Sequence, residues 1–310
     1  MRRAWAVALM ALALAAPASA HSDGLPVGPA DLAYHWNWDP WIWAPLLLAH
    51  WLYGRGVLRA WARAGVGRIV AQWRVGAFFA GEILLAAALL SPLDPLGETL
   101  LSAHMVQHIL LAAAAPLLLV LGAPVTAWTW AMPMAWRRVG RSGPVRASMK
   151  LWQALSAPLT ASLLHGATLW AWHAPALFDA ALRDETVHTL EHAFFFVGGL
   201  FFWSAMSRRT APPLVAAGLI VATFMHMGVL SAVLALSPAP FYAYGDRPML
   251  WGLSAIEDQQ LAGLIMWAPA GGIYLAALAF FASRLFPPEP DSSRESQGII
   301  RASTSSRSMK

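Results

Sequence analysis

The sequence predicts an all-α polytopic membrane protein, a seven-transmembrane-helix bundle with the mature N-terminus outside and the C-terminus inside. Three observations carry this expectation. Hydrophobic residues make up 58% of the 310 positions and charged residues only 12%, too little charge to cover a soluble domain of this size. The apolar residues come in long runs of about 20, the length that crosses a bilayer, rather than alternating. The basic residues gather in alternate connections, so the net charge of +5 reflects the positive-inside rule and not a nucleic-acid-binding surface.

Each element follows in order. Residues 1–20, "MRRAWAVALMALALAAPASA", read as a signal peptide: Arg2 and Arg3, a short apolar stretch, then the small-x-small pattern Ala18-Ser19-Ala20. Cleavage after Ala20 would leave His21 beside a free α-amine, a pair able to chelate copper. Residues 21–40 form an extracytoplasmic segment ending in "YHWNWDPWIW", which fits an aromatic belt at the outer interface. The membrane domain, 41–283, holds seven apolar stretches at 41–58, 75–91, 99–121, 152–174, 188–206, 213–236 and 258–283. Turn-rich or charged pieces such as "SPLDPLGE", "RRVGRSGPVR" and "SRRTAPP" separate them. Residues 284–310 are polar and Pro/Ser-rich, the composition of a disordered cytoplasmic tail.

Orientation comes from charge. Arg55, Arg59, Arg63, Arg68 and Arg74 surround the first connection, Arg137, Arg138, Arg141, Arg146 and Lys150 the third, and Arg208 and Arg209 the fifth. The opposite face carries only Arg183 and Arg247 among many acids, Asp94 and Asp258 included. The faces with the arginines are expected inside.

The absence of cysteine excludes disulfides, thiolate metal sites and Cys nucleophiles, leaving His, Met and carboxylates for any metal chemistry. Of the ten histidines none lies in a basic connection. His104, His173, His188 and His192 are expected within about two turns of the outer surface, and His50, His108, His165 and His226 roughly 12–16 Å deep at 1.5 Å per residue. Two pairs, His104 and His108 in "HMVQH" and His188 and His192 in "HTLEH", have the i, i+4 spacing that puts both rings on one helix face. Glu191 is placed to orient an imidazole. Met225 and Met227 flank His226, although neighbours about 100° apart cannot all face one centre. A single intramembrane His often serves as an interhelical hydrogen-bonding residue; the concentration of these costly polar groups on one side argues for function. Imidazole with available thioether favours copper. Glu82 is the only carboxylate deep in a span, a candidate proton relay or His partner. Asp258 either caps the last helix or serves as a hard ligand or docking contact.

The chain resembles the CtaG family of seven-span assembly factors for caa-type cytochrome c oxidases. The resemblance rests on "HMVQHILL" with "PLLLVLGAP", on "APALFDAALRDETVHTLEHAFFFVGGLFFW" and on "DQQLAGLIMWAPAGG", and runs from about residue 35 to 283. It implies a role in maturing a haem–copper oxidase by supplying or inserting copper, with the oxidase subunits as partners and the bacterial inner membrane as location. The residues themselves offer no nucleophile constellation, so no enzymatic activity is expected. The histidines matching the family are His104, His108, His188 and His192, and its acidic motif falls on Asp258. Two other readings stay open on the residues: a haem-binding membrane electron carrier with bis-His ligation, and a transporter moving copper across the bilayer. A purely structural scaffold is the blandest alternative.

Overall fold

The computed structural model describes residues 26–133, 153–208 and 211–283; the residues expected to form a signal peptide, His21, most of the third connection and residues 284–310 lie outside them. Among the described residues the protein is all-helical, without a strand. The helices are α1 (Pro40–Ala64), α2 (Gln72–Leu90), the short α3 (Leu93–Gly97), α4 (Leu101–Leu121), α5 (Pro124–Ala131), α6 (Pro158–Trp172), α7 (Pro175–Arg183), α8 (Glu185–Met206), α9 (Pro213–Leu236) and α10 (Ala255–Ala282).

Local chemistry sets most of the starts. Proline, which lacks the N–H that a helix start leaves unused, stands at the beginning of α1, α5, α6, α7 and α9. Asp39 accepts from the Trp41 amide to cap α1, and Asp184 accepts from the Val187 amide to cap α8. Ser254 and Glu257 form a reciprocal capping box on α10.

Helices occupy all seven stretches expected to span. Four of them, α2, α4, α9 and α10, are long and apolar enough to cross a membrane. This is fewer than the seven expected. The shortfall has a physical cause in each remaining case. α6 is 15 residues long, because Pro158 opens it well after residue 152. α8 carries His188, Glu191 and His192, and α1 carries Arg55, Arg59 and Arg63, which lower their hydropathy.

α4 is the axis of the bundle. Its apolar stretch is 72% buried, against 33% for the other three. It contributes Leu111, Ala112, Ala115 and Leu119 to a core with α1, α2 and α8, Ala113 and Leu117 to a second with α8, α9 and α10, and Leu101 and Met105 to a third with Phe178, Tyr242 and Tyr244. α4 is not a uniform helix. Residues Leu110–Ala114 form a π-helical turn, and Pro116 just beyond it has no N–H to return to the Ala112 carbonyl. Gly199 of α8 packs against that carbonyl so closely that a Cβ there would lie 2.3 Å from its oxygen.

The N-terminus of α4 is held from outside its own sequence. Asp258 of α10 is buried and accepts from the Leu101 amide at 2.6 Å, the Ser102 amide at 3.1 Å and the Ser102 hydroxyl. Of the roles the sequence left open for Asp258, capping is realised, but on α4; Ser254 caps α10. Asp258→Ala strands three buried donors at a cost of about 1–3 kcal/mol. A clear fall in the thermal unfolding temperature in detergent is expected, with Asp258→Asn intermediate because it keeps one acceptor oxygen.

Candidate metal centre

One end of the bundle gathers the start of α4, the end of α6, the start of α8, α3 and the loop 237–254. The two His pairs meet there. His104 and His108 project from α4 with ring centroids 4.1 Å apart, and His188 and His192 project from α8 with the same separation. Across the gap His104 lies 5.2 Å from His188 and 5.9 Å from His192, and His108 lies 5.9 Å from His192. Glu191 enters the gap from α8. Its carboxylate oxygens stand 3.5 Å from His104 Nε2 and 3.6 Å from His108 Nε2.

Those two distances are informative. They exceed the 2.7–2.9 Å of a charge-assisted hydrogen bond. They match the separation of about 3.4 Å between ligand atoms held tetrahedrally 2.0–2.1 Å from one ion. His104, His108, Glu191 and His192 each offer one ligand atom within 4.8 Å of all the others, and all four side chains are buried.

The polar atoms facing the gap lack partners. His104 Nε2, both nitrogens of His108, Nε2 of His173, His188 and His192, and both Glu191 oxygens are buried without a hydrogen bond. A buried polar atom left unmade costs about 1–3 kcal/mol, so eight in one place is a strong departure from ordinary interior packing. A cation could take one nitrogen from each of His104, His108 and His192 and an oxygen of Glu191; that donor set fits one.

Neighbouring bonds hold the rings in the ligating tautomer. Burial keeps the Tyr244 hydroxyl well above its ordinary range, so it remains a donor, and it donates to the Gly97 carbonyl at 2.8 Å. The Tyr244 oxygen is then an acceptor for His104 Nδ1–H at 3.1 Å, leaving the lone pair on Nε2. His173 Nδ1–H donates to the Leu169 carbonyl at 2.7 Å, which likewise leaves Nε2 bare. His173 lies 5.6 Å from His108 at the margin of the cluster. Phe195 at 4.3 Å from His108 and Phe178 at 5.0 Å from His104 wall the gap, and Tyr242, stacked on Phe178, donates to the His173 carbonyl.

A second group overlaps the first. Asp94 of α3, His188 and His192 offer three ligand atoms within 4.8 Å of one another, with Asp94 and His188 half-buried. Burial pushes the Asp94 carboxyl up to about 6, against the Gln107 side-chain donor that favours its ionised form. Sequence reading placed Asp94 only among the acids of the outer face. Tyr244, Phe178 and Phe195 it did not single out; only proximity in the fold marks them.

The other candidates stand elsewhere. His50 pairs with Glu82 at 2.9 Å between α1 and α2, as the Glu82–His option allowed. His165 meets the Tyr274 hydroxyl at 3.0 Å, and His226 accepts from Trp170. These three histidines belong to neither ligand group, so the deep quartet does not converge on one point; only His108 of that set does. Met225 points outward, 53% exposed, and Met227 packs in the apolar core among Ala270 and Tyr274. Neither ligand group contains Asp258.

A family model described as cytochrome c oxidase caa3 assembly factor matches residues 51–287. An uncharacterised protein of Mycobacterium leprae (strain TN) is 29% identical over 258 residues, covering 75% of this chain and 37% of its own length. Uncharacterised proteins of Mycobacterium bovis (strain ATCC BAA-935 / AF2122/97) and Mycobacterium tuberculosis (strain CDC 1551 / Oshkosh) are each 30% identical over 215 residues, covering 64% of this chain and 32% of their own. The chain thus spans about a third of the length of the curated relatives it matches. No solved structure matches.

Proposed function

The chain belongs to the family of cytochrome c oxidase caa3 assembly factors, and from that membership we propose that it binds copper at the His104–His108–Glu191–His192 centre and hands it to the oxidase. The observation that carries the reading is the buried group of His104, His108, Glu191 and His192 on two facing helices, whose ligand atoms lie within 4.8 Å of one another and whose Nε2 and carboxylate oxygens have no hydrogen-bond partner. Three imidazoles and one carboxylate suit copper, zinc, iron or nickel alike. Copper is preferred because the partner is a haem–copper oxidase. Thioether plays no part in that preference, since Met225 and Met227 lie outside the centre.

The same reading has seven helices crossing the bacterial cytoplasmic membrane. Arg55, Arg59, Arg63, Arg68 and Arg74 mark the cytoplasmic side, and the α3–α4 end with its metal centre faces outward. The compactness of the cluster favours a small ion over a haem. Rings 4.1–5.9 Å apart, with phenyl groups packed against them, leave no width for a macrocycle. A centre that is buried yet close to one end of the bundle suits a cargo that is held and then released.

The test is metal analysis of the purified full-length chain in detergent after exposure to Cu²⁺ and Zn²⁺. Stoichiometric copper is expected in the wild type and a loss of at least about tenfold in affinity in His104→Ala/His108→Ala. In cells the same variant should lower the copper content of the oxidase. Normal oxidase copper in that variant, or no uptake by the wild type, would overturn the proposal.

A further inference from the structure

We infer that the centre offers a single metal ion two positions sharing His192, an outer one formed by Asp94, His188 and His192 and an inner one formed by His104, His108, Glu191 and His192. This rests on the metal-binding reading above and deepens it: the ion is received at the outer position and held at the inner.

Four observations support the division. Both groups bring their ligand atoms within 4.8 Å of one another, and His192 is the one residue common to them. They differ in burial: all four inner side chains are buried, whereas Asp94 and His188 are half-buried. His188 and His192 lie one turn apart on the same face of α8, and His188 also reaches within 5.2 Å of His104, so an ion moving inward passes between rings already in contact. The Nε2 atoms of His188 and His192 are both buried without a partner, which neither the α8 helix nor its packing explains.

One ion at a time follows from charge. Each position holds a single carboxylate, Asp94 outside and Glu191 inside. Two divalent ions a few ångström apart in a poorly screened interior would repel far more strongly than two carboxylates offset. Gln107 keeps the outer ligand in place: its amide nitrogen donates to both the Ala88 carbonyl and Asp94, tying α3 to α4 between His104 and His108.

The experiment mixes Cu²⁺ alone with the purified full-length protein in detergent micelles and follows quenching of tryptophan fluorescence by stopped flow. Equilibrium dialysis gives the number of ions bound. One ion per chain is expected at saturation. Asp94→Asn with His188→Gln should slow uptake at least tenfold and slow release by a similar factor, leaving the equilibrium affinity nearly unchanged, because the ion crosses the outer position in both directions. His108→Ala with Glu191→Gln should keep fast uptake and release copper at least tenfold faster. The single variants Asp94→Asn and His188→Gln, checked by thermal unfolding, separate a folding defect from a kinetic one, because a defect in packing would lower the unfolding temperature and weaken the equilibrium affinity. Two ions bound at once, or normal uptake in a folded Asp94→Asn/His188→Gln protein, overturns the two-position inference and leaves copper binding itself standing. Failure of the wild type to bind copper would overturn both.

Discussion

Gly199→Ala is expected to remove metal binding without altering any ligand, and Gly198→Ala, one residue away, is expected to leave it intact. At Gly199 a Cβ would sit 2.3 Å from the Ala112 carbonyl oxygen and 2.9 Å from Pro116 Cγ. Both obstacles are backbone or ring atoms that cannot rotate aside, so α8 must move away from the π-helical turn of α4 by about an ångström. Overpacking of this kind costs about 1–3 kcal/mol when the neighbours are flexible side chains, and rigid neighbours put this case at the upper end. The consequence at the centre is larger still. His104 and His108 ride on α4 and Glu191 and His192 on α8, so separating the helices pulls the two halves of the ligand set apart. A fall in copper affinity of at least about 100-fold is expected, read by competition with a chromogenic chelator. At Gly198 the nearest atoms to a new Cβ are His165 Nδ1 at 3.6 Å and Thr168 Oγ1 at 3.8 Å, ordinary van der Waals contacts. Equal loss in both variants would show that the close approach of α8 to α4 does not set the ligand spacing.

Glu191→Gln should raise the stability of the metal-free protein while weakening its hold on the metal. The native carboxylate is fully buried, stands beyond hydrogen-bonding distance of His104 and His108, and has no partner on either oxygen. A glutamine of the same shape brings an NH₂ group that can donate to the bare Nε2 lone pairs. A gain of about 1–3 kcal/mol in the stability of the metal-free form is expected from thermal or denaturant unfolding in detergent. Copper affinity should fall at the same time, because the inner position loses its only anion. The opposite signs are the point of the measurement. A residue kept for packing would lose stability when replaced; a residue kept for a ligand gains it. A less stable metal-free Glu191→Gln protein would contradict the assignment of Glu191 to the centre.

Part of this protein can be read along the chain. Composition and apolar run length determine an all-helical membrane protein, since a helix satisfies its own backbone hydrogen bonds locally and its apolar face needs only the right residues in sequence. Proline, serine and aspartate mark most of the helix starts for the same local reason. The i, i+4 spacing put His104 with His108 and His188 with His192 on shared faces, and the fold keeps both pairs in contact.

What lies between elements was decided only by tertiary structure. That the two pairs face each other, that Glu191 points into their gap as a ligand candidate, and that Asp94 joins from a different helix are outcomes of helix packing, which sequence spacing within one helix does not encode. The same holds for Asp258, whose capping partners lie more than 150 residues earlier, and for Tyr244, which sets the His104 tautomer across the bundle. The deep histidines show the limit from the other side. His50, His165 and His226 share an expected depth with His108, but depth fixes only one coordinate. The direction in which each helix turns its face fixes the other two, and it sends those three rings to Glu82, Tyr274 and Trp170 instead.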